Sequence, residues 1–165
     1  MQLPLLSLCL WRRRSFIVRE DDMSHSVIGV WKLLRFEFQA AGNRIIYPFG
    51  KEARGSFIYT KSNRFSVQLM RVDRPKFQIA DQQQGTVEET LASYRGSISY
   101  FGTYRVDGEK GIIIHSVEGS IFPNMEGTEQ IRYYELKENL LQLRTPTFKV
   151  GGEVTFGILL WERIE

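Results

Sequence analysis

Hydrophobic and polar residues alternate over short stretches through most of the chain, and this pattern predicts β-strands. The stretches end at turn-forming residues, and several neighbours are separated only by KSN, DGEK or EN, as is typical of hairpins. The expected fold class is all-β, an antiparallel up-and-down meander of about eight or nine strands, whose closure into a barrel would remove exposed edges. The strand candidates are VWKLLRFEF, GSFIYT, RFSVQLMR, SISYFGTYRV, GIIIHSVEGSIF, TEQIRYYELK, LLQLRT and EVTFGILLWERI.

The segment GTVEETLASYRG departs from this pattern and predicts one short inserted helix near residues 87–95. Thr86 can cap the helix while the side chain of Glu89 reaches back to the cap, which is the capping-box arrangement. The apolar face of such a helix either packs on the sheet or lets the helix cover a barrel mouth and control ligand access. The residues of this face are Val87, Leu91 and Tyr94.

The composition is that of one ordinary globular domain, with 165 residues, of which 42% are hydrophobic and 25% are charged. The net charge of +3 is spread along the chain. It therefore gives no concentrated basic surface for nucleic acid or an anionic membrane. Cys9 is the single cysteine, which excludes an internal disulfide and a cysteine-based metal cluster. A reducing, cytoplasmic location is compatible with this composition and is our expectation.

Residues 1–23 differ from the rest and are predicted to form a poorly ordered N-terminal extension, or to be translated upstream of a start at Met23. The run MQLPLLSLCLW is apolar, but its positive cluster follows it, whereas the positive region of a secretory signal comes first. The run is shorter than the roughly 20 apolar residues that span a bilayer, and no later stretch is long enough, so we predict no membrane span. The domain is expected to cover residues 24–165.

The stretch GIIIHSVEGSIFPN contains His115, the one histidine in the body of the chain, three positions before Glu118. Strand side chains alternate between the two faces of a sheet, so these two residues are expected on opposite sides. The face that carries Ile113, His115 and Val117 is the more apolar, and we expect it to point into the barrel. His115 is therefore a candidate lumen residue, and Glu118 is expected outside or at a strand end.

Neighbouring strands supply further candidates for a pocket lining. Tyr100 and Tyr104 project from the same face of their strand and offer aromatic area with a hydroxyl at the end. Arg132 is either exposed or, if it points inward, the partner of a carboxylate ligand, since its planar fork matches that group. For the strand at 65–71, a plain core would bury Phe65, Val67 and Leu69, whereas a pocket would be lined by Ser66, Gln68 and Met70. The candidate ligand-binding residues are Gln68, Met70, Tyr100, Tyr104, His115 and Arg132.

Gly29-Val30-Trp31 resembles the G-x-W signature of lipocalins, in which the tryptophan closes the narrow end of the barrel. Arg163 in the last strand can stack over that indole, a contact that stabilises by about 0.5–2 kcal/mol. The segments YPFGKEARGSFIYT, FSVQLMRVDRPKF, YFGTYRVD, HSVEGSIFPN and LRTP, in this order, resemble the bacterial and fungal lipocalin-like domain family. The resemblance covers about residues 24–165. It implies a calycin-type barrel with a cavity, and Gly29, Trp31 and Arg163 as its structural signature.

Several catalytic and metal-binding patterns are absent from the sequence. There is no G-x-S-x-G, and GKEARG does not match the phosphate-binding loop G-x-x-x-x-G-K-[ST]. His25 and His115 are the only histidines, too few for the usual zinc ligand sets. We therefore expect no metal site and no cofactor.

Two functions of different classes remain, since a barrel of about eight strands can enclose one small ligand. The first is a lipocalin-like protein that binds a small hydrophobic or amphipathic molecule in its cavity. The second is a cofactor-free isomerase, cyclase or dehydratase that acts on a hydrophobic metabolite there, with His115 as the catalytic acid or base. A fully packed interior in a protein that only pairs with other proteins is a third possibility. We place binding first because the catalytic case rests on one titratable lumen residue without an identified partner.

Overall fold

The computed structural model describes residues 26–150 and 152–165, so the predicted N-terminal extension, residues 1–23, lies outside the described residues. The domain boundary at residue 24 stays a prediction. The described ranges form ten strands and a short α-helix. In chain order the elements are β1 Gly29–Ala40, β2 Arg44–Ile46, β3 Arg54–Tyr59, β4 Arg64–Met70, α1 Val87–Arg95, β5 Ser97–Asp107, β6 Ile112–Ser120, β7 Glu129–Lys137, β8 Leu140–Arg144, β9 Phe148–Val150 and β10 Glu153–Arg163.

All the strands belong to one antiparallel sheet that closes on itself. Their order is β2-β1-β3-β4-β5-β6-β7-β8-β10-β9, and an additional pairing of β1 with β10 completes the circle. Eight strands therefore form the barrel, while the short strands β2 and β9 extend it beside β1 and β10. The predicted all-β, up-and-down barrel with one inserted helix is confirmed.

Trp31 closes the end of the barrel at which β1 begins. Its indole N–H donates to the carbonyl of Val27 at 2.9 Å, and the guanidinium of Arg163 lies 4.2 Å from the centre of its ring. Arg163 also donates to the carbonyls of Ser26 and Ile28. One cation thus ties the end of the last strand to the chain that precedes the first.

Gly29 permits this close approach between the two ends of the domain. Its φ of 148° is rarely adopted by residues with a side chain, and a Cβ at this position would collide with the backbone oxygen of Glu165. Gly29, Trp31 and Arg163, the three residues of the lipocalin-like signature, therefore meet at the closed end of the barrel.

A β-bulge changes which residues of β6 face the interior near its end. The register with β5 skips Glu118, because Val117 and Gly119 pair with successive residues of β5. Up to Val117 the inward face is the one expected from the sequence, but beyond it Ser120 rather than Gly119 lines the interior. Glu118 points outward, where it accepts two hydrogen bonds from Arg64 at 2.7 and 2.8 Å.

The helix α1 begins at the capping box that the sequence predicts. Thr86 accepts a hydrogen bond from the backbone N–H of Glu89, and the Glu89 carboxylate accepts from the backbone N–H groups of Thr86 and Gln78. The apolar face of α1 does not pack on the sheet, since Val87 is 69% exposed. Tyr94 lies instead at the rim of an internal cavity, so control of ligand access by α1 stays a prediction.

Among the described residues, no helix combines the length and the apolar character that crossing a bilayer requires.

Arg163→Met should lower the free energy of unfolding by about 2–4 kcal/mol, because a cation–π contact and two charge-assisted hydrogen bonds are lost together. Denaturation by urea, followed by circular dichroism, measures the change. The matched control is Arg105→Met, which removes an exposed ion pair with Glu129 and should lower the free energy of unfolding far less, because exposed pairs contribute little to stability. Equal losses in the two variants would show that Arg163 does not lock the barrel end.

Candidate ligand-binding site

A cavity of about 650 Å³ occupies the half of the barrel away from Trp31. All eight barrel strands and the loops at the open end contribute its walls, and most of the lining side chains are apolar or aromatic. This volume falls within the range of roughly 300–1,000 Å³ that is typical of small-molecule sites. The interior of the barrel is therefore not fully packed.

Phe36 and Phe38 of β1 line the cavity, although strict alternation would not place them on the same face as Trp31. The register between β1 and β10 shifts just before Arg35, and this bulge reverses the faces of the residues that follow. The sequence carries a signal for it, because Arg35 and Glu37 occupy the positions that unbroken alternation would turn inward. Alternation alone therefore does not predict Phe36 and Phe38 as cavity residues.

An aromatic layer forms the floor of the cavity. The rings of Phe57 and Trp161 line the cavity, and their centroids lie 5.3 Å apart. Tyr59 packs against Phe57 at 4.3 Å, and Phe65 packs at 6.3 Å, but neither of these two side chains lines the cavity. The floor therefore separates the open half of the barrel from a half that is filled by side chains.

His115 points into the barrel but does not line the cavity. Its ring stacks on Phe65 at 4.3 Å, and its Nε2 lies 2.6 Å from the hydroxyl oxygen of Tyr59. The side chain is 0% exposed, and its Nδ1 has no hydrogen-bond partner. His115 is thus packed within the aromatic floor.

The electrostatic surroundings keep both partners of this hydrogen bond neutral. Burial lowers the pKa of His115 well below its ordinary value, and the positive charge of Arg132 lowers it further. Burial also raises the pKa of Tyr59 well above its ordinary value. A neutral imidazole and a neutral phenol therefore share the contact near neutral pH, and neither carries a charge that a ligand would have to compensate.

The two tyrosines of β5 face inward but have different surroundings. Tyr100 lines the cavity, and its hydroxyl oxygen accepts a hydrogen bond from Nη2 of Arg132 at 3.3 Å. Tyr104 does not line the cavity. Its hydroxyl donates to the carbonyl of Thr60 at 3.0 Å, and its ring packs 4.5 Å from that of Tyr59. Of the two, only Tyr100 is placed to contact a ligand.

Arg132 takes the inward alternative of the two that the sequence left open. It is only 9% exposed and lines the cavity together with Gln130 of the same strand. Besides its hydrogen bond to Tyr100, it donates through Nη1 to the carbonyl of Ile131 at 2.7 Å. Arg132 is the cationic group on the barrel wall of the cavity, and Arg95 of α1 lies at the rim.

The structure does not bring Gln68 and Met70 to the cavity. Both lie on the outer face of β4, where they border a surface depression together with Arg54. Burying the opposite face removes more apolar surface from water, so the core alternative prevails at this strand. The inward residues of β4 are Phe65, Val67 and Leu69.

Loop residues complete the cavity, and none of them was predicted from the sequence. Phe49, Phe122 and Pro146 come from three different loops and meet at the mouth. Their positions depend on how the loops fold over the barrel end, and the alternation of side chains along the strands does not predict this. Their aromatic and apolar character in segments rich in turn residues is the only signal that the sequence offers.

Comparisons with known proteins agree with this architecture. A fungal relative, a 4'-hydroxy-3'-methoxypropiophenone carrier protein of Aspergillus oryzae, is 29% identical over 106 residues, which make up 60% of this chain and 96% of the relative. No solved structure matches the chain. The sequence profile of the lipocalin-like domain matches residues 28–164, which confirms the resemblance found in the sequence. Because this match spans most of the chain, the protein belongs to the lipocalin-like domain family.

Proposed function

We propose that this protein is a carrier that binds one small, mainly apolar molecule in its barrel cavity. The observation that supports this most directly is the cavity of about 650 Å³, which lies above a tightly packed aromatic floor. A molecule in such a cavity is removed from water on all sides except at the mouth. Each square ångström of apolar surface that is buried in this way contributes roughly 25 cal/mol to binding.

The cavity wall favours an aromatic ligand. The ring of Phe36 makes edge-to-face contacts with Phe38 at 5.3 Å and with Phe49 at 5.5 Å, and Phe38 meets Phe148 in the same way at 5.3 Å. A ring bound among these side chains gains about 0.5–1.5 kcal/mol per aromatic pair beyond the burial of its area. The Aspergillus relative is named for a small aromatic molecule, and a small aromatic ligand is our proposal for this chain.

The alternative of a cofactor-free isomerase, cyclase or dehydratase has no specific observation in its favour. A general acid or base has to lie within hydrogen-bond reach of the proton that it transfers. His115 is 0% exposed and does not line the cavity. We therefore propose a structural role for His115, as the hydrogen-bond partner of Tyr59 in the floor, and binding alone as the function of the cavity.

Ile98→Trp should weaken the binding of small apolar probes at least about tenfold, or about 1.4 kcal/mol, because the new indole would occupy the cavity that the probe needs. Ile98 is a suitable site since it lines the cavity and is only half-buried, so the larger side chain has space. The probes are the fluorescent molecules 1-pyrenebutanol and 1-pyrenebutyrate, titrated against the wild-type chain and the variant.

The matched control is Phe101→Trp, which places the same side chain on the outer face of β5, where Phe101 is 47% exposed. This variant should bind both probes as the wild type does, and thermal melts establish that both variants are folded. Wild-type protein that binds neither probe at one molecule per chain, or an Ile98→Trp variant that binds as well as the control, would contradict the proposed function.

The buried state of His115 predicts that stability falls as the pH drops below about 6.5. The unfolded chain takes up a proton there while the folded chain does not, so the free energy of unfolding decreases by up to about 1.4 kcal/mol per pH unit. His115→Gln should remove this part of the slope, as measured by urea denaturation at several pH values. Tyr59→Phe keeps the titrating ring and should keep the slope. A folded-state pKa of His115 at or above its ordinary value, measured by NMR, would mean that the ring is accessible.

A further inference from the structure

Arg132 is a buried cation whose surroundings supply few acceptors. Of the five N–H donors of a guanidinium, one reaches the carbonyl of Ile131 and one reaches the hydroxyl of Tyr100. The second contact is long, at 3.3 Å. Most of the hydrogen-bonding capacity of this group therefore remains unused by the described residues.

No carboxylate in residues 26–150 and 152–165 forms an ion pair with Arg132. The two buried carboxylates of these ranges have other partners. Glu89 accepts backbone hydrogen bonds at the start of α1, and Glu37 contacts Arg35 at 3.3 Å and Gln39 at 3.1 Å. The charge of Arg132 is therefore not balanced by these ion pairs.

A charged group that leaves water without a counter-ion is costly, and the cost reaches several kcal/mol per ion even in relaxed proteins. The charge of Arg132 is felt by its neighbours, since it lowers the pKa of His115. A partner can reach the guanidinium from the cavity, because Arg132 lines the cavity and is only 9% exposed. An anionic group on the ligand would supply the missing partner.

We propose that the natural ligand carries a carboxylate that pairs with the guanidinium of Arg132, so that the protein is selective for amphipathic aromatic acids. The inference rests on the proposed function, since it names the chemical class of the cavity ligand. A carboxylate accepts two parallel N–H donors from the planar fork, which fixes the orientation of the ligand as well as its charge.

Three polar side chains on β5 and β7 are placed in a way that suits such a molecule. Tyr100 on β5 and Gln130 and Arg132 on β7 all line the cavity, and Tyr100 and Arg132 are in direct contact. The phenylalanines Phe36 and Phe38 lie on β1, which β8 and β10 separate from β7 in the barrel. An acid with its carboxylate at Arg132 can therefore place its hydrophobic part against the aromatic side of the cavity.

The decisive experiment compares two probes that have the same pyrene body and differ in the end group, the acid 1-pyrenebutyrate and the neutral alcohol 1-pyrenebutanol. Wild-type protein should bind the acid at least about tenfold more tightly than the alcohol, as expected for a charge-assisted hydrogen-bonded pair. The preference should persist in high salt, because a buried pair is screened much less than a surface pair.

Arg132→Met should abolish this preference, because the affinity for the acid falls until it no longer exceeds the affinity for the alcohol. Arg132→Lys keeps the charge but loses the planar fork, and it should retain only part of the preference. The control Arg105→Met removes a positive charge from the outer surface and should keep the full preference.

The outcomes separate this proposal from the proposed function. Equal affinity of the wild type for the two probes overturns selectivity for acids but leaves the carrier intact, provided that Ile98→Trp weakens both probes. An Arg132→Met variant that still prefers the acid overturns the assignment to Arg132. Failure of both probes to bind the wild type overturns the carrier function itself. Because the two probes are compared in wild-type protein, this part of the test does not depend on whether a variant folds.

Discussion

The hydrogen-bonded pairing of β1 with β10 is the constraint on which the rest of the structure depends. It runs from Trp31 opposite Arg163 to Ala40 opposite Thr155, with one irregularity near Arg35. Without it, the sheet would have two long edges and no interior. Because the pairing begins at the Trp31 and Arg163 contact, the same few residues both close the ladder and seal one end of the barrel.

Closure of the sheet divides the interior into two halves with different roles. In one half, the rings of Tyr59, Phe65 and His115 pack together and leave no surface exposed to a ligand, and burial keeps the imidazole and the phenol neutral. The other half keeps a cavity whose wall combines phenylalanines with one enclosed cation, Arg132. A carrier of a small apolar molecule needs both halves. The tightly packed half forms a floor that fixes the shape of the site, and the other half provides the volume for the ligand.

The parts of this structure that were predictable from the sequence depend on local patterns. Alternation places His115 inside the barrel, and the capping box at Thr86 and Glu89 positions the helix, because both signals involve neighbouring residues. The depth of His115 was not predictable, since it depends on the tilt and stagger of all the strands in a closed barrel. The inward turn of Phe36 required the bulge against β10, a strand more than a hundred residues away in sequence.

The strand β4 shows the same limit of local patterns, because alternation alone does not decide which of its faces points into the barrel. Its two faces are separable only when the burial of the whole core is compared, and this comparison sends Met70 outward and Leu69 inward. The orientation of Arg132 was open for a similar reason, because the sequence of its strand does not show that the interior of the barrel contains a cavity.

A crystal structure of the wild-type protein in complex with 1-pyrenebutyrate tests the central claim most directly. The account predicts one probe molecule inside the barrel, with its rings beside Phe36 and Phe38 and its carboxylate at Arg132. A barrel interior filled by side chains, with the probe absent or bound at the outer depression beside Met70, would contradict it.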